Sequence, residues 1–284
     1  MTYENVLTIV DEMRNLKQLF INKNKYNRFM KDNYQFKNIL NGGRCFILGS
    51  GPSLKLQNLD DLANEFVITV NNIARSDFFP HLKTNVHIWE DPVFFDEKDT
   101  KEEALKRFTM VNTEDNKPIV MVPVRHKSYI EANDIDKEVS IHYYNPIYVF
   151  HKKYDKEFNF CKSVPGFHTV VGEAIALSIY MGAKEIYLLG CDCTSILTYI
   201  GALTDQIEAQ YAYEFSEKEK NKYYINHYNY YNNNSEAPYY TAYKVIQQYR
   251  YLREYCYKRG IKLINATKGG ILIELERKDL EDIL

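Results

Sequence analysis

The sequence has little of the residue types that mark several classes of protein. It contains five cysteines, an odd number, and one tryptophan in 284 residues. We expect the cysteines to be reduced thiols, not a disulfide framework or a zinc site. Lys and Arg number 36 against 38 Asp and Glu, so the whole protein has no electrostatic attraction to nucleic acid. No apolar run approaches the roughly 18 residues of a membrane-spanning helix, and residues 1–30 are too charged for a signal peptide. We therefore expect a cytoplasmic location.

The remaining composition favours a folded α/β protein. The chain is 45% hydrophobic and 26% charged, which excludes a disordered polymer. Seven short apolar runs predict buried strands, at Arg44–Leu48, Phe66–Val70, Val86–Trp89, Ile119–Val124, Val139–Tyr143, Glu185–Leu189 and Lys262–Asn265. Helices are predicted at Thr100–Phe108, Val170–Met181, Ala237–Arg259 and Arg277–Leu284. Alternating strands and helices predict a doubly wound, mostly parallel, Rossmann-like sheet with helices on both faces.

Two parts are predicted along the chain. Residues 1–40 carry apolar side chains at a three-to-four spacing between Val6 and Phe20, which predicts an N-terminal helical extension. Packing on the main domain, self-association into a homo-oligomer and contact with the inner face of a membrane are the alternatives for this extension. Residues 41–284 are predicted to form a single α/β domain with a lid at about 212–238.

The strongest local motif follows the first predicted strand and reads Gly49-Ser50-Gly51-Pro52-Ser53. Absent side chains let backbone N–H groups approach a ligand closely, and open α/β sheets bind ligands at this edge. The spacing lacks the third glycine of a dinucleotide fingerprint and the Gly-Lys-Ser/Thr of a Walker loop. A ligand-binding turn and a simple tight turn between strand and helix are the two interpretations.

Polar residues and glycines also follow other predicted strands. Asn71 and Asn72 end the second strand, and Asp91 follows the third. A lone Asn is more often a turn former, but three successive strand ends of this kind favour a binding site. Gly269 and Gly270 follow the last strand, where their amides could hold a base or sugar or simply close a turn.

The second half of the chain supplies a helix start and another strand end. His168 and Thr169 directly precede the apolar helix, and a helix N-terminus with a free hydroxyl suits a phosphate or carboxylate. The strand that begins at Glu185 stops at Gly190 and then presents Asp192 and Thr194. These groups are predicted to reach the same edge as the Gly-Ser-Gly turn.

In this order the motifs resemble glycosyltransferase family 42, the bacterial lipooligosaccharide sialyltransferases. The resemblance spans about Arg44–Ile273 and rests on Gly49-x-Gly-Pro-Ser-Leu54, on Asn71, on Lys184-Glu-Ile-Tyr-Leu-x-Gly190-x-Asp192 and on Tyr211-Ala-Tyr213. The chain also resembles the MptE-like (DUF115) proteins of surface-polysaccharide loci. The resemblance implies a nucleotide-binding catalytic domain that transfers a sugar from a nucleotide, with a CMP-linked, sialic-acid-like donor expected, in polysaccharide or lipooligosaccharide biosynthesis.

The resemblance also implies which residues bind the donor. Gly49, Ser50 and Gly51 would line the nucleotide phosphates, and Asn71 would contact the nucleotide or donor. The sialyltransferases have Asn where Ser50 and Asp91 stand, which indicates different donor contacts.

Further roles follow for the groups around the leaving phosphate and the acceptor. Thr169 would lie near the cytidine, and the Tyr211 hydroxyl would support the leaving phosphate. Thr194 replaces a second tyrosine of the family, and its hydroxyl could also donate. The general base would be His227, in the lid before the last long helix, with Glu236 in reserve. An exposed loop histidine without a catalytic role is an equal interpretation of His227.

Tyrosine is the abundant residue, with 25 Tyr against 15 Phe. Twelve of the tyrosines lie in Tyr223–Tyr257, from the predicted lid through the last long helix. Rings with a polar end suit stacking on sugars and hydrogen bonding to them. We therefore expect acceptor specificity to be determined in this segment.

No Asp-x-Asp motif follows a strand, so no obligatory metal cofactor is predicted, and the expected partners are a nucleotide sugar and a glycan acceptor. The first alternative is an MptE-like pterin diphosphokinase, in which Asp91 and Asp192 would hold magnesium. The second is an inactive nucleotide-binding or scaffold protein.

Overall fold

A single parallel sheet dominates the part of the chain that the computed structural model describes, residues 26–112, 116–197, 211–212 and 236–284. Within these residues the sheet has nine strands: β1 (Arg44–Leu48), β2 (Val67–Val70), β3 (Val86–Ile88), β4 (Ile119–Pro123), β5 (Ile141–Val149), β6 (Ser163–Gly166), β7 (Glu185–Leu189), β8 (Lys262–Asn265) and β9 (Glu276–Arg277). The described α-helices are α1 (Lys101–Thr109), α2 (Lys127–Ala132), α3 (Ile135–Glu138), α4 (Val170–Tyr180) and α5 (Glu236–Tyr257).

The strand order places a topological switch point at the centre of the sheet. The order is β6-β5-β4-β3-β2-β1-β7-β8-β9, and every described pairing is parallel. The chain runs outward from β1 to β6 and then returns to β7 on the other side of β1. Ligands of open α/β sheets bind in the crevice at such a point, outside the carboxyl ends of the strands. Here that crevice lies between β1 and β7.

Both faces of the sheet are covered, as a parallel sheet requires. Along β1, Cys45 and Ile47 join a buried cluster with the apolar residues of α4 and α5. Phe46 and Leu48 join the opposite cluster, which includes Phe108 of α1 and residues of α2 and α3. The predicted doubly wound α/β fold with helices on both faces is confirmed.

All seven predicted strands are present, with ends shifted by at most two residues except in β5, which ends six residues later than predicted. Strands β6 and β9 were not predicted, because one is a four-residue Ser-Val-Pro-Gly segment and the other is Glu-Arg. The helix predicted at Arg277–Leu284 is wrong: its first residue belongs to β9, and only a 3-10 turn, Leu280–Asp282, follows.

The N-terminal part of the described chain packs against the sheet. Residues 26–40 contain two 3-10 helices, Asn27–Phe29 and Lys31–Phe36. The buried Asn33 amide donates to the carbonyls of Tyr143, at 2.7 Å, and Phe160, at 2.8 Å. The helix predicted between Val6 and Phe20 lies outside the described residues, and the two-part division of the chain stays a prediction. Among the described helices, none is both long and apolar enough to cross a bilayer.

Candidate active site at the carboxyl edge of the sheet

The turns after β1 and β7 are joined by backbone hydrogen bonds at the switch point. The Gly49 N–H donates to the Leu189 carbonyl at 2.8 Å, and the Gly51 N–H donates to the Gly190 carbonyl at 2.9 Å. These two amides extend the β1–β7 ladder past the strand ends. The Gly-Ser-Gly turn therefore forms the wall of the crevice, and its half-buried Ser50 stands between the two engaged amides.

Two glycines make this junction possible. A Cβ on Gly51 would overlap the Asp192 carboxylate and lie 2.6 Å from the Gly190 carbonyl oxygen, so no larger residue fits without movement. Gly190 has a φ of +62°, in the left-handed region that favours glycine, and packs against the Leu54 side chain. The chain can reverse after β7 because Gly190 has no side chain. The turn after β1 can approach it closely because Gly51 has none.

Asp192 supplies a buried carboxyl group to the crevice. Its side chain accepts a hydrogen bond of 2.8 Å from the Ser53 hydroxyl, and the residue is only 7% exposed. Burial raises the pKa of Asp192, while the Ser53 side-chain and backbone donors partly oppose that rise. Pro52 opens the 3-10 helix Pro52–Leu56, which presents Ser53 to the carboxylate.

The glycine turn after β8 lies beside the same aspartate. The Ile271 N–H donates to the Asp192 carbonyl at 2.9 Å, and a Cβ on Gly270 would lie 2.8 Å from the Asp192 backbone. Arg277 of β9 donates to the carbonyls of Gly269 and Thr267 and so holds the turn. The structure therefore brings Gly269 and Gly270 to the crevice.

The two described residues 211–212 meet the turn after β1. The Ala212 N–H donates to the Ser50 carbonyl at 3.0 Å, and Ala212 is buried. Tyr211 directly precedes this contact and is half-buried. Thr194, also half-buried, follows β7 by five residues.

A hydrogen bond joins the chain after β2 to the chain after β3. Asn71 has a φ of +50° and accepts a hydrogen bond of 3.1 Å from the Glu90 N–H through its Oδ1. Asn72 is half-buried beside it. Asp91 is exposed and caps the following 3-10 helix by accepting a hydrogen bond from the Val93 N–H at 3.1 Å. Asn71 thus has a structural function, since it joins the chain after β2 to the chain after β3.

The start of α4 is tied to β7 by a buried tyrosine. Thr169 is the N-cap residue of α4, but its side chain makes no capping hydrogen bond. Instead, the Tyr249 hydroxyl of α5 hydrogen-bonds with the Thr169 hydroxyl and with the Cys191 thiol. His168 is exposed, and its N–H donates to Gln248 Oε1 at 2.7 Å. Helix α5 therefore fixes the position of the loop before α4.

A pocket that the sequence did not predict opens between the ends of β3 to β6. Its volume is about 240 Å³, and it is lined by Glu90, Arg125, Glu173 and the segments Pro146–Val149 and Gly166–His168. Arg125 Nη2 donates to Glu90 Oε1 at 2.6 Å. The signal for Glu173 was present in the sequence, since it is the one charged residue of an otherwise apolar helix.

Glu173 has an unusual environment for a carboxyl group. It is 1% exposed, and its Oε1 accepts a hydrogen bond of 2.8 Å from the Phe167 N–H. Its Oε2 is buried and has no hydrogen-bond partner among the described residues. Burial raises the pKa of Glu173 well above its usual range, and the nearby Glu90 raises it further. Burial likewise raises the pKa of Glu90, against the opposing effect of Arg125.

Several predicted features lie outside the described residues. His227 is one of them, together with most of the predicted lid and its tyrosines. Glu236, the reserve base, is the first residue of α5. Within the described ranges, no three His, Cys, Asp or Glu side chains come together in a way that could hold a metal ion.

The protein therefore belongs to the class of doubly wound parallel α/β folds. Its candidate ligand site is the crevice at the topological switch point. No protein-family model and no curated protein matches the chain, so the resemblance to the MptE-like group stays a prediction. Similar solved structures include the sialyltransferase CstII from Campylobacter jejuni in complex with the substrate analogue CMP-3FNeuAc. The two sequences are 18% identical, the alignment covers 82% of this chain and 85% of that chain, and the TM-score is 0.47. The same enzyme in complex with cytidine-5'-monophosphate gives 17% identity, 82% and 84% coverage, and a TM-score of 0.46. Likeness at this level transfers neither activity nor ligand to this chain.

Proposed function

We propose that this protein is a glycosyltransferase that takes its sugar from a nucleotide, with a CMP-linked, sialic-acid-like donor, in surface polysaccharide or lipooligosaccharide biosynthesis. The observation that carries the proposal is the crevice at the switch point. There the turns Gly49–Gly51 and Gly190–Asp192 and the turn at Gly269–Gly270 converge on one edge. The choice of donor rests on the resemblance of the sequence motifs.

The proposed reaction needs few protein groups. The acceptor hydroxyl oxygen bonds to the anomeric carbon while the bond from that carbon to the phosphate oxygen breaks, and the nucleotide leaves with the electron pair. Hydroxyls aimed at the leaving phosphate stabilise the developing charge, a function proposed for Tyr211 and Thr194. The acceptor proton passes to His227, because imidazole is the side chain best suited to proton transfer near neutral pH.

Nucleotide binding is the direct test of the proposal. A nucleotide that binds only the folded state at a hundredfold its dissociation constant adds about 2.7 kcal/mol of stability. We expect CMP to raise the melting temperature with and without magnesium, and to do so more than ATP. A magnesium-dependent shift with ATP alone would favour the diphosphokinase alternative. No shift with any cytidine or uridine nucleotide would reject the proposal.

A separate variant tests whether His227 is the general base. His227→Ala is expected to abolish sugar transfer and to leave CMP binding unchanged. His81→Ala, at an exposed position on the surface, is the matched control and should leave both unchanged. Transfer by His227→Ala at the wild-type rate would exclude His227 as the base.

A further inference from the structure

The pocket lined by Glu90, Arg125 and Glu173 has balanced charge. The Glu90 carboxylate is paired with the Arg125 guanidinium, and their side chains are 19% and 42% exposed. Glu173 lines the same pocket, is 1% exposed and has no salt-bridge partner among the described residues. A buried carboxyl group without a cation keeps its proton in preference to an unpaired charge. In this state the pocket has no net charge.

The hydrogen-bonding capacity of Glu173 is only half used. Its Oε1 accepts from the Phe167 N–H, so the proton of the acid resides on Oε2. Oε2 has no acceptor among the described residues, although buried polar atoms in folded proteins are nearly always paired. Because Glu173 also lines the pocket, its acid O–H, which lacks an acceptor among the described residues, is a site for a ligand oxygen.

The position of this pocket connects it with the crevice. Asn71 binds the backbone of Glu90, and Thr169, three residues after Gly166 of the pocket, is tied through Tyr249 to Cys191 after β7. The crevice and the pocket therefore both lie at the carboxyl edge of the same sheet. A ligand that fills the crevice with its nucleotide has the pocket on the β3 to β6 side.

We propose that this pocket binds an uncharged, oxygen-bearing part of the transferred sugar, and that Glu173 donates a hydrogen bond to a hydroxyl or amide carbonyl oxygen there. The proposal rests on the proposed function for the identity of the ligand. It makes Glu173 a specificity-determining residue, and it makes the pocket a poor site for a carboxylate or an ammonium group. Arg125 is already paired with Glu90, so a carboxylate would enter without a free cation among the described lining residues.

The first experiment uses the wild-type protein and free sugars. Carbon-13 NMR of the glutamate side-chain carboxyls, with Glu173 assigned by its absence in Glu173→Gln, reports both protonation and contact. We expect millimolar N-acetylmannosamine, which is neutral, to move the Glu173 signal while it keeps the shift of a protonated acid. Mannosamine, a cation, should bind more weakly. Tighter mannosamine binding with deprotonation of Glu173 would overturn the proposal.

The second experiment tests whether Glu173 donates a hydrogen bond to the ligand or only occupies volume in the pocket. Glu173→Gln keeps both the acceptor and a donor, whereas Glu173→Met keeps the size and loses both. We expect Glu173→Gln to bind a CMP-sugar within about threefold of wild type and Glu173→Met to bind it about tenfold more weakly, with CMP itself bound equally by all three. Equal CMP-sugar binding by Glu173→Met would overturn the proposal.

The two experiments also distinguish failure of the pocket from failure of the proposed function. Without any nucleotide binding the proposed function fails, but the free-sugar titration still tests the pocket. No movement of the Glu173 signal with either sugar would overturn the pocket proposal, whatever the nucleotides do. The titration needs only the isosteric Glu173→Gln variant for its assignment, so it remains decisive if Glu173→Met does not fold.

Discussion

The Ser53 hydroxyl donates a hydrogen bond of 2.8 Å to Asp192 Oδ2, across 139 residues of sequence. The bond joins the turn after β1 to the turn after β7 and crosses the switch point. Both groups are buried, so neither is compensated by water when the other is removed. The crevice is therefore held together by a side-chain pair as well as by the glycine backbone.

Removing the Ser53 hydroxyl should destabilise the protein. Because the acceptor is a buried carboxyl group, we expect Ser53→Ala to lower the free energy of unfolding by about 1.5 to 3 kcal/mol. Urea unfolding measures the change. Ser178→Ala is the control: Ser178 is also buried, but its hydroxyl donates only to the Ile175 carbonyl in its own helix. A loss at Ser53 no larger than that at Ser178 would show that the pair with Asp192 contributes little.

A methyl group at Gly51 should be destabilising without any backbone strain. Gly51 has a φ of −70°, which any residue adopts, so only the overlap with Asp192 and Gly190 opposes alanine. We expect Gly51→Ala to lower stability by about 1 to 3 kcal/mol and to abolish CMP binding. Calorimetric titration and urea unfolding measure the two effects.

Gly260→Ala provides the reverse case. Gly260 has a φ of +63°, and a Cβ there would have nothing within 4 Å, so strain acts without overlap. The expected loss is about 1 kcal/mol, with nucleotide binding unchanged, since Gly260 lies between α5 and β8 at the opposite edge. Retained CMP binding by Gly51→Ala would place the nucleotide elsewhere.

Two buried tyrosine hydroxyls should respond in opposite ways to removal. The Tyr249 hydroxyl bonds with Thr169 and Cys191, and we expect Tyr249→Phe to lower the free energy of unfolding by about 1 to 2 kcal/mol. The Tyr144 hydroxyl has no hydrogen-bond partner among the described residues, so Tyr144→Phe should be neutral or stabilising. Thermal and urea unfolding of the two variants measure these changes. An equal loss of stability in both variants would contradict the prediction.

The pH dependence of stability should contain a term from Glu173. Its folded-state pKa is raised, so the unfolded chain releases its proton first as the pH rises above the ordinary glutamate value of about 4.3. The free energy of unfolding then falls by about 1.4 kcal/mol per pH unit until the folded-state pKa is reached. Glu173→Gln should remove this slope. Urea unfolding between pH 4 and pH 7 measures it, and an unchanged slope in the variant would show that Glu173 is ionised.

Glu185 supplies a control of opposite sign. Its hydrogen bonds from Lys262 and Tyr187 lower its pKa, so its contribution to stability is present above the unfolded-state pKa and is lost as the pH falls. Glu185→Gln should therefore lose stability at pH 7 and approach wild type in acid. Parallel pH profiles for the two glutamine variants would contradict both assignments.

The turns of the crevice could be located from sequence, because glycines and polar residues directly after apolar runs indicate strand ends. The partnership of β1 with β7 could not, since no local pattern specifies which strands are neighbours. The bond from Ser53 to Asp192 depends on that pairing. This hydrogen bond could therefore not be predicted from sequence, although both residues were predicted to bind a ligand.

The pocket was missed for a different reason. Glu90 follows β3 by two residues, Arg125 lies in a short 3-10 turn, and Glu173 lies in an otherwise apolar helix. Each alone is compatible with an ordinary surface or core position. Only the side-by-side placement of β3 to β6 brings them to one cavity, and β6 itself has too short and too irregular a sequence to be predicted.

Pairing of β1 with β7 also has a kinetic consequence. Arg44 lies opposite Glu185, and about half of the chain separates them, so this contact closes a very long loop during folding. The crevice does not exist before that closure, so a ligand held there recognises only chains that have completed it. We therefore expect such a ligand to slow unfolding and to leave the refolding rate unchanged.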